Sequence, residues 1–210
     1  MNLAPRRFLP GLAVMLYVGV FVNGQISLPA APTPDPNSLI NIKDVPNLYK
    51  VNSNLYRGGQ PTEAGLRQLK RLGIKTIIDL RDDDGRAKSE EGWAKASGLR
   101  FINIPLSNFF GPEDAKIDAI LNEIGRSESQ PVFIHCKRGA DRTGTVIGIY
   151  RISHDGWIGK DANTEAKKFG FGWWQFWMKD YIDDYYRDFK ARKLSRKARK
   201  RVKSFNPDSK

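Results

Sequence analysis

Three short apolar runs rich in β-branched residues, each followed by a helical segment, constrain the fold of this chain most strongly. They read IKTIIDLR at residues 74–81, RFINIPL at residues 100–106 and PVFIHC at residues 131–136. The first and the third of these runs are typical of buried strands, and the second predicts a further strand. Their alternation with helices predicts an α/β fold with a mainly parallel central sheet flanked by helices.

The segments between these strands carry helix signals. Thr62 is suited to cap a helix that runs to Leu72 and stops at Gly73. Further helices are predicted over residues 88–97, 112–124, 143–153, 162–168 and 173–193. The stretch NLYKVNSNLYRG at residues 47–58 predicts two short strands around a polar turn.

The N-terminus has the layout of an export signal. Arg6 and Arg7 precede an apolar run at residues 8–22, which is short for a spanning helix of about 20 apolar residues. We therefore expect residues 1–24 to be a signal peptide or an N-terminal membrane anchor. A buried helix of the fold is the weaker alternative. The rest of the protein is then expected to be periplasmic or secreted, or anchored and facing away from the cytoplasm.

A proline-rich linker and a basic tail are predicted to flank one folded domain. PAAPTPDPNS at residues 29–38 contains four prolines, so residues 25–39 are predicted to be a stiff linker before a domain at residues 40–190. Residues 189–210 hold ten lysines and arginines and one aspartate, a net charge of +9 out of +12 for the whole chain. The tail at residues 191–210 suits an anionic membrane surface, or is simply a solvated helix end. Nucleic acid is disfavoured, because the tail lacks interleaved aromatic residues.

Cys136 is the only cysteine of the chain, which excludes an intramolecular disulfide and a cysteine-rich metal site. A lone cysteine is often a buried core residue, but the neighbours of this one favour a reactive thiol. It ends the predicted strand PVFIHC, and a predicted helix follows the loop KRGADR. The N–H groups of that helix start, together with Arg142, would hold a phosphate dianion and lower the pKa of the thiol. Gly139 and Gly144 would let the backbone turn tightly and approach a ligand.

The run from His135 and Cys136 through five residues to Arg142 and Thr143 resembles the signature of the protein tyrosine and dual-specificity phosphatase superfamily. The upstream stretch NLYRGGQPTEAGLRQLKRLGIKTIIDLR is similar to that of compact bacterial members. The resemblance spans roughly residues 45–190 and implies a dual-specificity-phosphatase-like fold, with no metal or cofactor. Arg57, Asp79 and Arg81 recur in such relatives and are expected to support the site from behind.

The resemblance also implies a role for each residue of the loop. Cys136 would attack phosphorus and form a phosphocysteine, Arg142 would clamp the phosphate, and Thr143 would stabilise the departing thiolate. His135 would orient the loop and support a low pKa of the thiol. The phosphate oxygens would be bound by the N–H groups of Lys137, Arg138, Gly139, Ala140, Asp141 and Arg142.

The proton donor for the leaving group is the open question. Many members place an aspartate shortly after the strand that here reads FINIPL, where this chain has Ser107 and Asn108. We expect Asp141 to be the acid, with Asp114 as the alternative on a mobile loop. Asp141 could instead be a residue that balances local charge.

The predicted activity is hydrolysis of phosphate monoesters, either on phosphotyrosine or phosphoserine/threonine proteins or on phosphoinositides. Lys137 and Arg138 would favour a polyanionic substrate. An RNA 5′-phosphatase and a non-catalytic phosphate-binding module are the alternatives. At helical spacing, Trp173, Trp177 and Tyr181 would share one face, either packed on the domain or placed at a membrane surface.

Overall fold

The computed structural model describes residues 42–205, with side chains as far as Lys200. The predicted signal peptide or anchor, the linker, the expected start of the domain near residue 40 and the last five residues of the tail lie outside the described residues. Within residues 42–205, no helix has the length and apolarity needed to cross a membrane.

Five strands form one sheet, in the order β1-β2-β5-β3-β4. β1 pairs antiparallel with β2, and the other three pairings are parallel. The strands are β1 (Tyr49–Asn52), β2 (Leu55–Gly59), β3 (Thr76–Asp79), β4 (Arg100–Asn103) and β5 (Val132–Cys136). The predicted α/β class, with a mainly parallel sheet, is confirmed.

Helices cover both faces of this sheet. They are α1 (Glu63–Arg71), α2 (Gly85–Ala96), α3 (Asp114–Gly125), α4 (Asp141–Tyr150), α5 (Gly159–Lys168) and α6 (Phe176–Phe205), with a π-helical segment at Arg151–Asp155 directly after α4. Adjacent residues of a strand point to opposite faces of the sheet. Ile77 and Phe133 accordingly pack with α1 and α2, whereas Ile78 and Ile134 pack with α3 and α4.

The starts of α1 and α2 are set by side-chain capping. The Thr62 hydroxyl accepts the N–H of Gly65, which confirms the predicted cap of α1. α2 begins three residues earlier than predicted, because the Asp84 carboxylate caps the N–H groups of Arg86 and Ala87. α4 begins at Asp141, two residues earlier than predicted.

The aromatic C-terminal segment differs from its predicted helix. α6 starts at Phe176, so Trp173 and Trp174 lie in the preceding loop, and the predicted shared face is wrong at Trp173. Gly170, in the loop before α6, has a left-handed backbone conformation with a φ of +82°. α6 packs on the domain through Met178 and Ile182, and it continues without a break across the predicted domain end at residue 190.

Candidate active site

The segment from Cys136 to Arg142, here called the phosphate loop, connects β5 to α4 at the carboxyl edge of the sheet. β5 lies between β2 and β3, so the loop emerges from the middle of the sheet, where ligands of open α/β folds gather. The N-terminal turn of α4 follows directly and presents free N–H groups and a partial positive charge. Cys136 is 3% exposed at the base of this cradle.

The loop is held from β2. Arg57 is fully buried, and its Nη2 donates to the carbonyl of Gly139 at 2.7 Å. The guanidinium also lies 4.0 Å from the ring centre of Phe169. Burial lowers the pKa of Arg57 to about 10, which leaves it charged at neutral pH. The expectation that Arg57 supports the site from behind agrees with this placement.

The two glycines of the loop region serve different purposes. Gly139 has a φ of +72° and lies against the backbone of Gly58 and Gly59. Gly144 lies inside α4, where a side chain would meet the Phe171 ring at 2.9 Å. The expected close approach to a ligand is therefore wrong for Gly144, which instead allows α4 to pack closely.

The Arg142 guanidinium is anchored by two carbonyls that follow neighbouring strands. Its Nη1 donates to Leu80 O at 3.2 Å and to Leu106 O at 3.4 Å. The side chain is therefore fixed, and its remaining donors are left for a ligand. A rigid fork of this kind matches two oxygens of a phosphate.

The environment of Cys136 favours its thiolate. Burial alone would raise the pKa of the thiol, but hydrogen bonds from the hydroxyl and N–H of Thr143, the charge of Arg142 and the N–H of Gly139 outweigh it, so the pKa is lowered. The Thr143 hydroxyl is buried and faces the sulfur, with no oxygen or nitrogen partner among the described residues. A thiolate in such surroundings is a competent nucleophile.

A pocket of about 280 Å³ opens above the thiol. It brings together five of the predicted site residues and three others. Its lining consists of Asn108, Cys136, Lys137, Arg138, Asp141, Arg142, Trp174 and Gln175. Gly139 and Ala140 lie in the phosphate loop but do not line the pocket. The side chains of His135 and Thr143 are buried and do not line it either.

The two carboxylates predicted as proton donors lie in different places. Asp141 lines the pocket, but both of its oxygens are engaged: Oδ1 accepts the N–H of Gly172 at 2.7 Å, and Oδ2 accepts Nη2 of Arg138 at 2.5 Å. Asp114 starts α3 and accepts the hydroxyl of Tyr181 in a separate pocket. The structure therefore does not bring Asp114 to the thiol. Asn108, which occupies the usual region of the acid, does line the pocket.

Trp174 and Gln175 line the pocket without having been predicted as site residues. The Arg138 guanidinium lies 5.8 Å from the Trp174 ring centre, so Arg138 is held between an aromatic face and the Asp141 carboxylate. Of the two cations next to Cys136, Arg138 is thus already paired. The aromatic stretch FGFGWWQ at residues 169–175 is visible in the sequence. The predicted helix at residues 173–193, however, included Trp173 and Trp174, which lie in the short loop before α6.

Asp79, Glu90 and His135 converge beneath the sheet edge, with potential metal-ligating atoms within 4.8 Å of one another. Arg81 binds both carboxylates through Nη2, at 2.7 Å from Asp79 and 2.6 Å from Glu90. A guanidinium therefore supplies the positive charge that a metal ion would otherwise bring.

The sequence and structure are similar to those of known phosphatases. The family described as DSP-PTPase phosphatase fused to NAD+ kinase matches residues 39–172. The dual specificity protein phosphatase TpbA of Pseudomonas aeruginosa is 32% identical over 165 residues, which cover 77% of this chain and 72% of the relative.

Two solved structures have a similar fold. The structure of P. aeruginosa TpbA in complex with phosphotyrosine has a TM-score of 0.57 and 25% identity, covering 76% of this chain and 94% of the other. The core catalytic domain of the PP-IP phosphatase SIW14 from Saccharomyces cerevisiae, in complex with citrate, has a TM-score of 0.63 and 24% identity, covering 75% of this chain and 96% of the other.

Proposed function

This chain belongs to the dual-specificity phosphatase family and is a cysteine-dependent phosphoric monoester hydrolase; from that premise, we propose the roles of its site residues, its preferred substrates and its location. The observation that carries the assignment of roles is the fixed Arg142 fork above a thiol whose pKa is lowered. The nucleophile in this proposal is the Cys136 thiolate. Its sulfur forms a bond to phosphorus as the bond from phosphorus to the leaving oxygen breaks.

The phosphate loop stabilises the negative charge on the phosphoryl group during its transfer. Arg142 and the N–H groups of residues 137–142 point to the equatorial oxygens, where stabilisation of the transition state is most effective. In the second step water attacks the phosphocysteine, the bond between sulfur and phosphorus breaks, and inorganic phosphate leaves. The Thr143 hydroxyl then donates to the sulfur that regains its negative charge.

When the bond from phosphorus to the leaving oxygen breaks, that oxygen must either receive a proton or depart with a negative charge. This requirement sets the substrate preference. Asp141 is the only carboxylate that lines the pocket among the described residues. Its two oxygens accept from Gly172 and Arg138, so it acts as a brace between the phosphate loop and the loop before α6. Asn108 has no proton of suitable acidity to give.

We therefore favour leaving groups that depart with little protonation. The phenol of tyrosine has a pKa of about 10, and the second pKa of a phosphate group is about 6. Alkoxides from serine or threonine are much stronger bases. The site is thus best suited to aryl phosphates, such as phosphotyrosine, and to phosphoanhydrides.

The relatives support these same two classes. One related structure holds phosphotyrosine, and another belongs to a PP-IP phosphatase. In this chain Trp174 offers an apolar wall beside the pocket, which suits an aryl group. Lys137 lines the same pocket and would favour a substrate that carries a further phosphate beside the aryl phosphate or phosphoanhydride to be cleaved.

A leaving-group series tests this preference. The wild-type protein and Asp141→Asn are assayed on aryl phosphates whose phenols span a range of pKa, with Asp114→Asn as the control that lies outside the pocket. We expect kcat/KM to fall steeply as the pKa of the phenol rises, with the same slope in all three proteins. A shallow slope in the wild type that becomes steep only in Asp141→Asn would identify Asp141 as the general acid.

The location of the enzyme is a separate proposal. The arginine pair and apolar run at residues 6–22 support export, with residues 1–24 either removed or retained as an anchor. Recovery of the intact chain from the cytoplasmic fraction of its source cells would contradict export. Recovery from a membrane or exported fraction, followed by the mass of the mature chain, decides between anchor and signal peptide.

We propose that the protein binds to an anionic membrane surface. The basic end of α6 supports this, as do exposed rings next in sequence to the pocket-lining residues Asn108 and Trp174: Trp173 is 83% exposed, and Phe109 and Phe110 are 72% exposed. Replacing Arg196, Lys197, Arg199 and Lys200 by glutamine should weaken binding to phosphatidylglycerol vesicles and leave binding to uncharged phosphatidylcholine vesicles unchanged. Equal binding of parent and variant to the charged vesicles would contradict this role.

Two other functions are less well supported. The non-catalytic phosphate-binding module does not explain a thiol whose pKa is lowered, and the RNA 5′-phosphatase does not fit the proposed export of the protein. Phosphate release from phosphopeptides, phosphoinositides and RNA 5′ ends, each compared with Cys136→Ser, separates these possibilities.

A further inference from the structure

Four charged or titratable side chains form a cluster beneath the phosphate loop, here called the buried quartet. They are Asp79 at the end of β3, Arg81 just after it, Glu90 on α2 and His135 on β5. Asp79, Glu90 and His135 are completely buried, and Arg81 is 7% exposed. Buried charges must be paired to be tolerated, so their contacts report their protonation.

Arg81 neutralises only one of the two carboxylates. Its Nε contacts both oxygens of Asp79, at 2.9 and 3.1 Å, and its Nη2 bridges Asp79 Oδ2 and Glu90 Oε2. The second oxygen of Glu90, Oε1, has no hydrogen bond among the described residues. It lies 2.9 Å from Nε2 of His135, off the axis of a hydrogen bond but at the distance of an ion pair.

Both ring nitrogens of His135 face acceptor oxygens, since Glu90 is ionised in its ion pair with Arg81. Nδ1 lies 3.3 Å from the carbonyl oxygen of Cys136, and Nε2 faces the Glu90 carboxylate, with Asp79 Oδ1 at 3.8 Å. A neutral imidazole has one N–H, so it would turn a lone pair towards one of these oxygens. With protons on both nitrogens, the quartet contains two positive and two negative charges and is neutral.

We propose that Glu90 is a positioning residue that holds His135 as an imidazolium directly behind the nucleophile, so that the support of the Cys136 thiolate that the family resemblance implies for His135 depends on Glu90. The inference rests on the proposed role of Cys136 and adds a residue of α2 to the machinery. The charged groups that face His135 are Glu90, Asp79 and Arg81, together with the neighbouring Cys136; the Phe133 ring, stacked at 5.5 Å, is neutral.

The electrostatics of the quartet agree with this geometry. Burial alone would lower the pKa of His135, but the Glu90 carboxylate, followed by that of Asp79, raises it above its usual value. The charge is transmitted locally, because the proposed Nδ1–H donates to the peptide carbonyl of Cys136 itself. A positive charge close to a thiol favours the thiolate.

Glu90→Gln tests the proposal, with Glu91→Gln as its matched control. Both changes remove one carboxylate from α2, but Glu91 is on the surface in a salt bridge with Lys95. The measurement is the rate of Cys136 alkylation by iodoacetamide as a function of pH. We expect the midpoint to rise by about one pH unit in Glu90→Gln, the lower end for a neighbouring charge. Alkylation well below the midpoint would then slow about tenfold, while Glu91→Gln matches the parent.

An NMR measurement on the unaltered full chain covers the case in which Glu90→Gln fails to fold. The chain has two histidines, His135 and the exposed His154, so each ring can be followed. We expect His135 to keep the ¹⁵N pattern of an imidazolium at a pH where His154 is neutral. A neutral His135 ring, or a folded Glu90→Gln with an unchanged alkylation midpoint, would overturn the proposal. Phosphocysteine formation in the parent would still support the proposed function in that case.

Discussion

Replacing Gly139 by alanine should disable the site through backbone geometry alone. Gly139 has a φ of +72°, and a Cβ there would lie 2.3 Å from the carbonyl carbon of Gly58, 2.4 Å from its oxygen and 2.5 Å from the nitrogen of Gly59. These are backbone atoms of a strand within the sheet, so they cannot rotate away. The loop or the strand must therefore move by about 1 Å to restore ordinary van der Waals contact.

The cost has two separable parts. The left-handed conformation costs a residue with a Cβ about 1–2 kcal/mol, and the steric overlap with β2 adds about 1–3 kcal/mol, the usual cost of overpacking. The carbonyl oxygen of Gly139 also accepts a hydrogen bond from the Arg57 guanidinium, so a shift of the loop would weaken that hydrogen bond as well. A displacement of about 1 Å in the groups that bind the reacting phosphate can cost about 100-fold in rate.

Two other glycines separate these contributions. Gly156 has a φ of +76° with no atom near a Cβ, so Gly156→Ala reports the conformational cost alone. Gly92 lies inside α2 in open space, so Gly92→Ala should stabilise by about 0.5–1 kcal/mol. Urea unfolding and kcat/KM on p-nitrophenyl phosphate are measured for all three. The reasoning is refuted if Gly139→Ala loses no more stability than Gly156→Ala and keeps its kcat/KM within about twofold.

Three further perturbations probe the surroundings of the thiol. Thr143→Val removes the hydroxyl that faces Cys136, so the midpoint of its pH-dependent alkylation should rise; an unchanged midpoint would exclude that hydrogen bond. Arg81→Met leaves two buried carboxylates without their partner, and urea unfolding should show a loss of about 3–5 kcal/mol; a loss below 1 kcal/mol would contradict the buried pairing. Because the folded pKa of His135 is raised, its stabilising contribution is complete below the unfolded value of about 6.5 and is lost as pH rises through the folded pKa. Stability measured across this range should therefore depend less on pH in His135→Gln than in the parent, and identical pH profiles would be inconsistent with this shift.

The fold was predictable because its signals are local. The buried strands β3 and β5 lie within short apolar runs, and Thr62 has the chemistry of a helix cap before α1. The phosphate loop was equally readable, since a strand, a lone cysteine and a helix start lie within a few residues of one another. By contrast, the insertion of β5 between β2 and β3 depends on pairings between distant segments, which local patterns do not reveal.

The parts of the site that were missed depend on contacts between distant segments. Glu90 lies on α2, 45 residues before His135, and in the sequence it is one more charged residue of a polar helix. Trp174 reaches the pocket because α6 starts late, after the loop whose Gly172 N–H is bound by Asp141. The sequence around Asp141 likewise does not show that both of its carboxylate oxygens accept hydrogen bonds, from Gly172 and Arg138, which bears on its expected role as the acid.

Direct detection of a phosphocysteine tests the central claim. The full chain is mixed with p-nitrophenyl phosphate, the reaction is stopped within milliseconds in acid, and peptides are examined by mass spectrometry beside a Cys136→Ser control. We expect one phosphoryl group on the sulfur of Cys136 in the parent during turnover, and neither this adduct nor turnover in Cys136→Ser. Turnover that persists in Cys136→Ser would contradict covalent catalysis by Cys136.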